Sequence, residues 1–233
     1  MMSNMYEKVT TWNPLAGHCK HDCIYCSTKT LKKRFPACAK KYSGEYRLVE
    51  SEFKSLGHGK TIFVCAQNDM FEDSVPSELI HPILRHCLKY PENIYMFQTK
   101  YLIRLLAGSW LYQSHHFRHF AKSSWFGTTI ETNQNTGLSK APPMFERAQA
   151  MAMITEFRTY LTIEPICDFD LLEFLDLIDL AKPDKIFIGA VTKGHKLPEP
   201  SAEKLMQLIT ILQLKYDVEL KSNLKRLLPK GMK

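Results

Sequence analysis

Cys19, Cys23 and Cys26 are separated by three and then two residues, at the end of the stretch Thr-Trp-Asn-Pro-Leu-Ala-Gly-His-Cys-Lys-His-Asp-Cys-Ile-Tyr-Cys (Thr11 to Cys26). Three thiols on so short a loop can reach one metal centre. No fourth cysteine stands beside them, and Cys38, Cys65, Cys87 and Cys167 are scattered. A closed structural zinc site takes four tight ligands, usually as two separated knuckles. A 4Fe-4S cluster held by three thiolates instead leaves one iron open to another ligand. The competing readings are a zinc ion with His18 or His21 as fourth ligand, and three inert core thiols. The spacing favours the cluster.

The elements that must position this loop follow a regular rhythm. After a first strand over Tyr6 to Trp12 and a basic, partly helical segment ending near Tyr42, short apolar runs alternate with helical segments. The runs are Thr61 to Ala66, Ile94 to Phe97, Trp125 to Ile130, Tyr160 to Ile163 and Lys185 to Ala190. Helices are expected over Pro76 to Tyr90, Lys100 to Leu106, Pro143 to Thr155, Leu171 to Ala181 and Ala202 to Tyr216. Ser201 suits an N-cap, and Pro183 follows a helix end. Repeated strand–helix units predict an α/β fold with parallel strands: a partial (β/α)6 TIM-like barrel, with a short extra C-terminal strand from Asp217. A doubly wound open sheet is the structural alternative.

Polar residues gather where the strands end, which is where parallel barrels build their sites. Period two places Tyr160, Thr162 and Glu164 on one face and Leu161 and Ile163 on the other, so Glu164 is expected to point into the lumen. Glu131 ends the preceding strand in the same way. Carboxylates aimed into a barrel are costly unless paired or bound, which makes both functional candidates. The alternatives for them are an internal salt bridge to Lys100 or exposure at the rim.

Composition sets the outer limits. Of 233 residues, 45% are hydrophobic and 24% charged, which are globular values, and no Pro/Gly/Ser-rich linker divides the chain. One domain over residues 1–233 is expected, with the cluster loop at 18–27 and a basic segment at 29–41. Seven cysteines, an odd number, fit a reducing compartment better than a disulfide framework. No apolar run is long enough to span a bilayer, and the start shows no signal-like stretch, so a cytoplasmic location without membrane partners is expected. The net charge of +7 attracts anions. Lys29, Lys32, Lys33, Arg34, Lys40 and Lys41 follow the cluster loop with no acidic residue between them, a stretch suited to a phosphate backbone, to a nucleotide, or simply to solvent.

The cysteine trio, with the aromatic Tyr25 just before its last member, resembles the signature of the radical S-adenosylmethionine (SAM) superfamily. More phrases extend the likeness: Thr11 to Pro14, Asn68 to Phe71 with Val75-Pro76, Gln98 to Lys100, Thr129 to Asn133, Ile163 to Pro165 and Ile188-Gly189, in that order. Together they resemble a phage-associated, also cellular, radical-SAM family of poorly assigned function, distantly similar to spore photoproduct lyase.

That resemblance implies a partial (β/α)6 barrel, and an enzyme whose cofactors are one 4Fe-4S cluster on Cys19, Cys23 and Cys26, and SAM on the open iron. One electron from a donor such as flavodoxin or ferredoxin would cleave SAM to a 5'-deoxyadenosyl radical that abstracts a substrate hydrogen. It implies cofactor contacts at Tyr25, Asn68, Asp69, Thr129, Glu131, Asn133, Glu164, Val191 and Thr192. Gln67, Asn68 and Asp69 occupy the place of a Gly-Gly-Glu phrase that binds SAM's amino group in many members, and Asp69 is the choice on charge. Lys221, in the phrase Lys221 to Leu224, is a candidate for an anionic substrate, with a solvated lysine the competing reading. Cys167 and Cys38 are candidates for a hydrogen donor, with buried inert thiols the competing reading. His115, His116 and His119 read as surface residues. The substrate is expected to be a nucleic acid or nucleotide. The reading from a different class is a non-catalytic, zinc-containing nucleic-acid-binding protein.

Overall fold

A computed structural model describes residues 9–106, 121–192 and 195–229. His115, His116 and His119 lie outside them. Seven strands form one parallel sheet in chain order: β1 (Val9–Trp12), β2 (Thr61–Val64), β3 (Ile94–Gln98), β4 (Trp125–Thr129), β5 (Arg158–Ile163), β6 (Lys185–Ile188) and β7 (Asp217–Leu220). The strand order never reverses, so the sheet curves into a half-barrel and is not doubly wound. The partial TIM barrel is the observed architecture, and the stretch from Asp217 is its seventh strand. Among the described residues no helix is long and apolar enough to cross a membrane.

Alternation along the strands builds two separate apolar layers. Ile62, Val64, Phe97, Phe126, Leu161, Ile163 and Ile188 face outward into the main core. They meet the apolar stripes of α3 (Ser77–Leu88), α4 (Met144–Ala152), α5 (Leu171–Ala181) and α6 (Ala202–Lys215). The opposite parity points inward, where Phe63, Met96, Tyr160 and Phe187 plug the lumen. Gly127 permits that plug, since a Cβ there would come within 2.3 Å of the Tyr160 ring.

The helix edges have local causes. Ser201 caps α6 by accepting the Lys204 amide at 3.2 Å, and α5 ends with Lys182 in the left-handed region before Pro183. The basic segment splits into α1 (Ser27–Arg34) and α2 (Pro36–Lys41), because Pro36 holds Phe35 extended and so breaks the helix. The helix expected over Lys100 to Leu106 is only a 3-10 turn, Leu102–Leu105. The Thr99 amide is donated to Gly127 and the Lys100 amide to Asp69, so the chain is still committed to the strand ends where that helix would begin.

Candidate functional site

The cysteine loop crosses the C-terminal end of the half-barrel and is fastened from several directions. The Ile24 amide bonds to Leu138 and the Lys140 amide to His21, both through backbone carbonyls, at 2.9 and 2.7 Å. Thr28 Oγ1 donates to Gln67, just past β2. His21 Nε2 lies 2.8 Å from Asp69 Oδ2. The loop is therefore tied to the end of β2 and to the segment after β4.

Below it lies a cavity of about 340 Å³. Its wall carries Cys19, Cys23 and Cys26 on one side and the strand ends on the other: Gln67, Asn68 and Asp69 after β2, Gln98 and Lys100 at β3, Thr129 on β4, Thr162 and Glu164 at β5, Val191 and Thr192 after β6. Seven of the nine positions read as cofactor contacts, among them Tyr25, thus border the space that the three cysteines border. Burial pushes the Cys19 thiol up to about 12, with the Asp69 carboxylate adding to the effect, and burial likewise raises Cys23.

Asn68 and Asp69 differ in what they have left to offer. The Asp69 carboxylate already accepts from Phe71, Thr99 and Lys100 as well as facing His21. Asn68 donates Nδ2 to the Gly17 carbonyl at 3.1 Å, which leaves Oδ1 as a buried acceptor without a partner among the described residues. Thr162 Oγ1 is buried without a partner in the same way.

Glu131 and Asn133 are not on the cavity wall. Glu131 is fully buried behind it and joins an internal ion cluster, 2.5 Å from Lys100 Nζ and 3.0 Å from Arg147, with the Tyr25 hydroxyl donating to it. Burial alone would raise its pKa; Lys100 and Arg147 outweigh that and hold the carboxyl below the usual range. Asn133 turns away and accepts the Asp170 amide at the start of α5.

The three weaker catalytic candidates are also absent from the wall. Cys167 is fully buried, its thiol pushed up to about 12 by burial, and it points toward the Pro165 carbonyl. Cys38 belongs to α2, outside the cavity. Lys221 is buried and pairs with Glu164, so its charge is spent inside the protein. Asn223 holds the other Glu164 oxygen at 2.7 Å. Gly189 makes room for this arrangement, because a Cβ there would lie 2.7 Å from the Glu164 carboxylate.

Sequence reasoning passed over Gln98, Thr162 and Cys65 as wall residues. Strand parity was the available signal for the first two, as it was for Glu164. Cys65 borders the cavity because the chain turns there with a positive φ of 56°.

The half-barrel is shared with solved structures. A doubly mutated spore photoproduct lyase with bound AdoMet and dinucleoside spore photoproduct matches with a TM-score of 0.59 at 14% identity, over 89% of this chain and 74% of that one. The same lyase complexed with dinucleoside spore photoproduct gives 0.58 at 12% identity, with the same coverages. Streptococcus suis SuiB bound to precursor peptide SuiA gives 0.50 at 9% identity, over 92% of this chain and 49% of that one. At these identities the likeness is one of fold, and it is the fold that the radical SAM resemblance implied. The family model described as protein of unknown function DUF5131 matches residues 4–202, and the chain belongs to that family. No curated protein matches the sequence.

Proposed function

We propose that the chain is a radical SAM enzyme that holds one 4Fe-4S cluster on Cys19, Cys23 and Cys26 and takes SAM into the adjoining cavity. The observation that carries this reading is the convergence of three cysteines and five strand ends on one cavity of a partial barrel. Once bound, these cofactors supply one-electron cleavage of SAM and a 5'-deoxyadenosyl radical that abstracts hydrogen from substrate.

The wall suits a ligand with SAM's groups. Asn68 Oδ1, buried and unpartnered, is an acceptor for the ammonium of the methionine moiety. Lys100 borders the cavity, and because the one Glu131 carboxylate is shared between Lys100 and Arg147, a positive charge is left over for the carboxylate of the methionine moiety. Asp69 orients the loop through His21. Thr129 and Glu164 offer hydrogen-bonding groups for ribose hydroxyls, and the Val191 and Thr192 backbone suits adenine.

The zinc reading has less support. His21 is engaged by Asp69 and His18 is exposed. Among the described residues no three His, Cys, Asp or Glu side chains gather as one ion requires. A cluster makes no such demand, since each thiolate takes its own iron. The substrate is an anion, a nucleic acid or nucleotide, as favoured by the basic helices beside the loop, and the electron comes from an external donor of the flavodoxin or ferredoxin kind.

The test is anaerobic purification, reconstitution with iron and sulfide, and reduction with dithionite in the presence of SAM. 5'-Deoxyadenosine detected by mass spectrometry, and lost in Cys26→Ala, is the expected result. A colourless protein that retains zinc and forms no 5'-deoxyadenosine overturns the proposal.

A further inference from the structure

The helical hairpin α1–α2 leaves the cavity rim with an unbalanced charge. Ser27 and Thr28, at the start of α1, border the cavity, and the rest of the helix leads away from it. Of the hairpin's six cations, Lys29 pairs with Asp22 at 2.5 Å, a carboxylate it shares with Lys140, and Lys41 pairs with Glu52 at 2.6 Å. Lys32, Lys33, Arg34 and Lys40 have no acidic partner among the described residues, and all but Lys32 are exposed. Lys32 donates to the Tyr42 carbonyl at 3.0 Å, which orders its ammonium without cancelling the charge.

An aromatic ring sits among these cations. Phe35, at the break between the helices, is 42% exposed, and the Arg34 guanidinium lies 5.1 Å from its ring centroid. Exposure alone does not single Phe35 out, since Phe145 and six other large apolar residues are exposed as well; its place among cations without acidic partners does. Phosphates contacted by Lys and Arg beside a base stacked on an aromatic ring are the pattern by which proteins hold single-stranded nucleic acid, and a paired base would not be free to stack.

We infer that α1–α2 is a docking surface for single-stranded nucleic acid, with Phe35 stacking an unpaired base and Lys33, Arg34 and Lys40 contacting the backbone. The eight residues of α1 span about 12 Å, the length of about four stacked nucleotides, between the ring and the cavity rim. A strand held on this surface has one end at the cavity. Delivery of a substrate into that cavity rests on the radical SAM reading; the binding itself does not.

Fluorescence anisotropy with the full chain and a labelled 12-nucleotide mixed-sequence DNA, single-stranded or annealed to its complement, tests the surface without cluster chemistry. The single strand is expected to bind more tightly than the duplex. Phe35→Ala should weaken it about tenfold and Phe35→Trp retain it, both with unchanged circular dichroism. Replacing Lys33, Arg34 and Lys40 by Ala should flatten the dependence of log affinity on log salt by about 2, at about 0.7 per phosphate contact. Absence of binding at low salt, or binding indifferent to Phe35 and matched by heparin, overturns the inference. So does Phe35-dependent binding to phosphatidylserine vesicles without binding to the oligonucleotide. The yield of 5'-deoxyadenosine from SAM alone reports separately on the cavity, so failure of one reading leaves the other standing or falling on its own result.

Discussion

Asn223 and Glu164, 59 residues apart, are joined by a 2.7 Å hydrogen bond from the asparagine amide to the carboxylate. Asn223 also exchanges hydrogen bonds with the Ala190 backbone, and Lys221 pairs with the second Glu164 oxygen. The phrase Lys221 to Leu224 therefore fastens the end of the sheet to the strand-end carboxylate of β5. Lys221→Met removes the charge partner of a carboxylate whose side chain is one-fifth exposed. Breaking a buried pair costs about 3–5 kcal/mol, and the solvent at Glu164 reduces that to about 2. Thermal unfolding should fall by several degrees and recover in part when Glu164→Gln is added. A single variant that melts like the parent would remove the clamp from the account.

The lumen is packed without slack at Gly127. A Cβ there meets three atoms of the Tyr160 ring at 2.3–2.6 Å, and the ring is fully buried with its hydroxyl held by the Phe97 carbonyl at 3.1 Å. Overpacking of this kind costs about 1–3 kcal/mol. Gly127→Ala should lower the denaturation midpoint in urea by a corresponding amount with the slope unchanged. A midpoint equal to that of the parent would mean that the plug yields more easily than its geometry allows.

Glu72 makes stability depend on pH. Its burial works against ionisation, but donation from the Tyr46 hydroxyl and from Ser74 outweighs burial and holds the carboxyl below 4.5. A carboxyl depressed on folding adds stability above its unfolded pKa of about 4.3, and that stability is lost as pH falls through the folded value. Glu72→Gln should therefore cost stability at pH 7 and progressively less as pH falls from there through the folded value. Melting curves across that interval should converge at the acid end; a constant gap would assign the loss to packing and not to charge.

How far the sequence went is clearest on β5. Tyr160, Thr162 and Glu164 face the lumen and Leu161 and Ile163 the helices, as alternation requires, and parallel strands follow from the strand–helix rhythm, whereas their order, which separates a half-barrel from a doubly wound sheet, came from the fold. Alternation stops being informative where a strand stops. Glu131 is two residues past β4 as defined by its ladder, and it turns behind the wall to meet Lys100 and Arg147, the latter from a helix whose contribution no local pattern announces. Asn133, two residues further, follows a turn and serves α5. Lys221 is charged and near the chain's end, features that read as solvated, yet its partner Glu164 comes from a strand 57 residues earlier. Periodicity reports which face a residue takes within an element; pairing between distant loops depends on the closed fold.

Asn68 and Asp69 give the sharpest choice at the cavity. Charge alone favours Asp69 as the receiver of a ligand's ammonium, but its oxygens already accept three amide or hydroxyl protons and face His21. Asn68 Oδ1 accepts none, and its amide orientation is fixed by donation to Gly17. A hydrogen bond to a charged group is worth about 1.5–3 kcal/mol, a factor of about 10 to 150 in affinity. Asn68→Ala should weaken SAM binding to the reconstituted protein within that range while iron content and thermal stability stay close to those of the parent. Asp69→Asn should act in another way: it disrupts the tie to His21 on the cysteine loop, so stability and iron retention fall together with SAM affinity. Equilibrium dialysis with SAM, iron analysis and a melting curve on both variants separate the two roles. Intact affinity in Asn68→Ala, with a selective loss of affinity in a stable and iron-loaded Asp69→Asn, would return the ammonium site to Asp69.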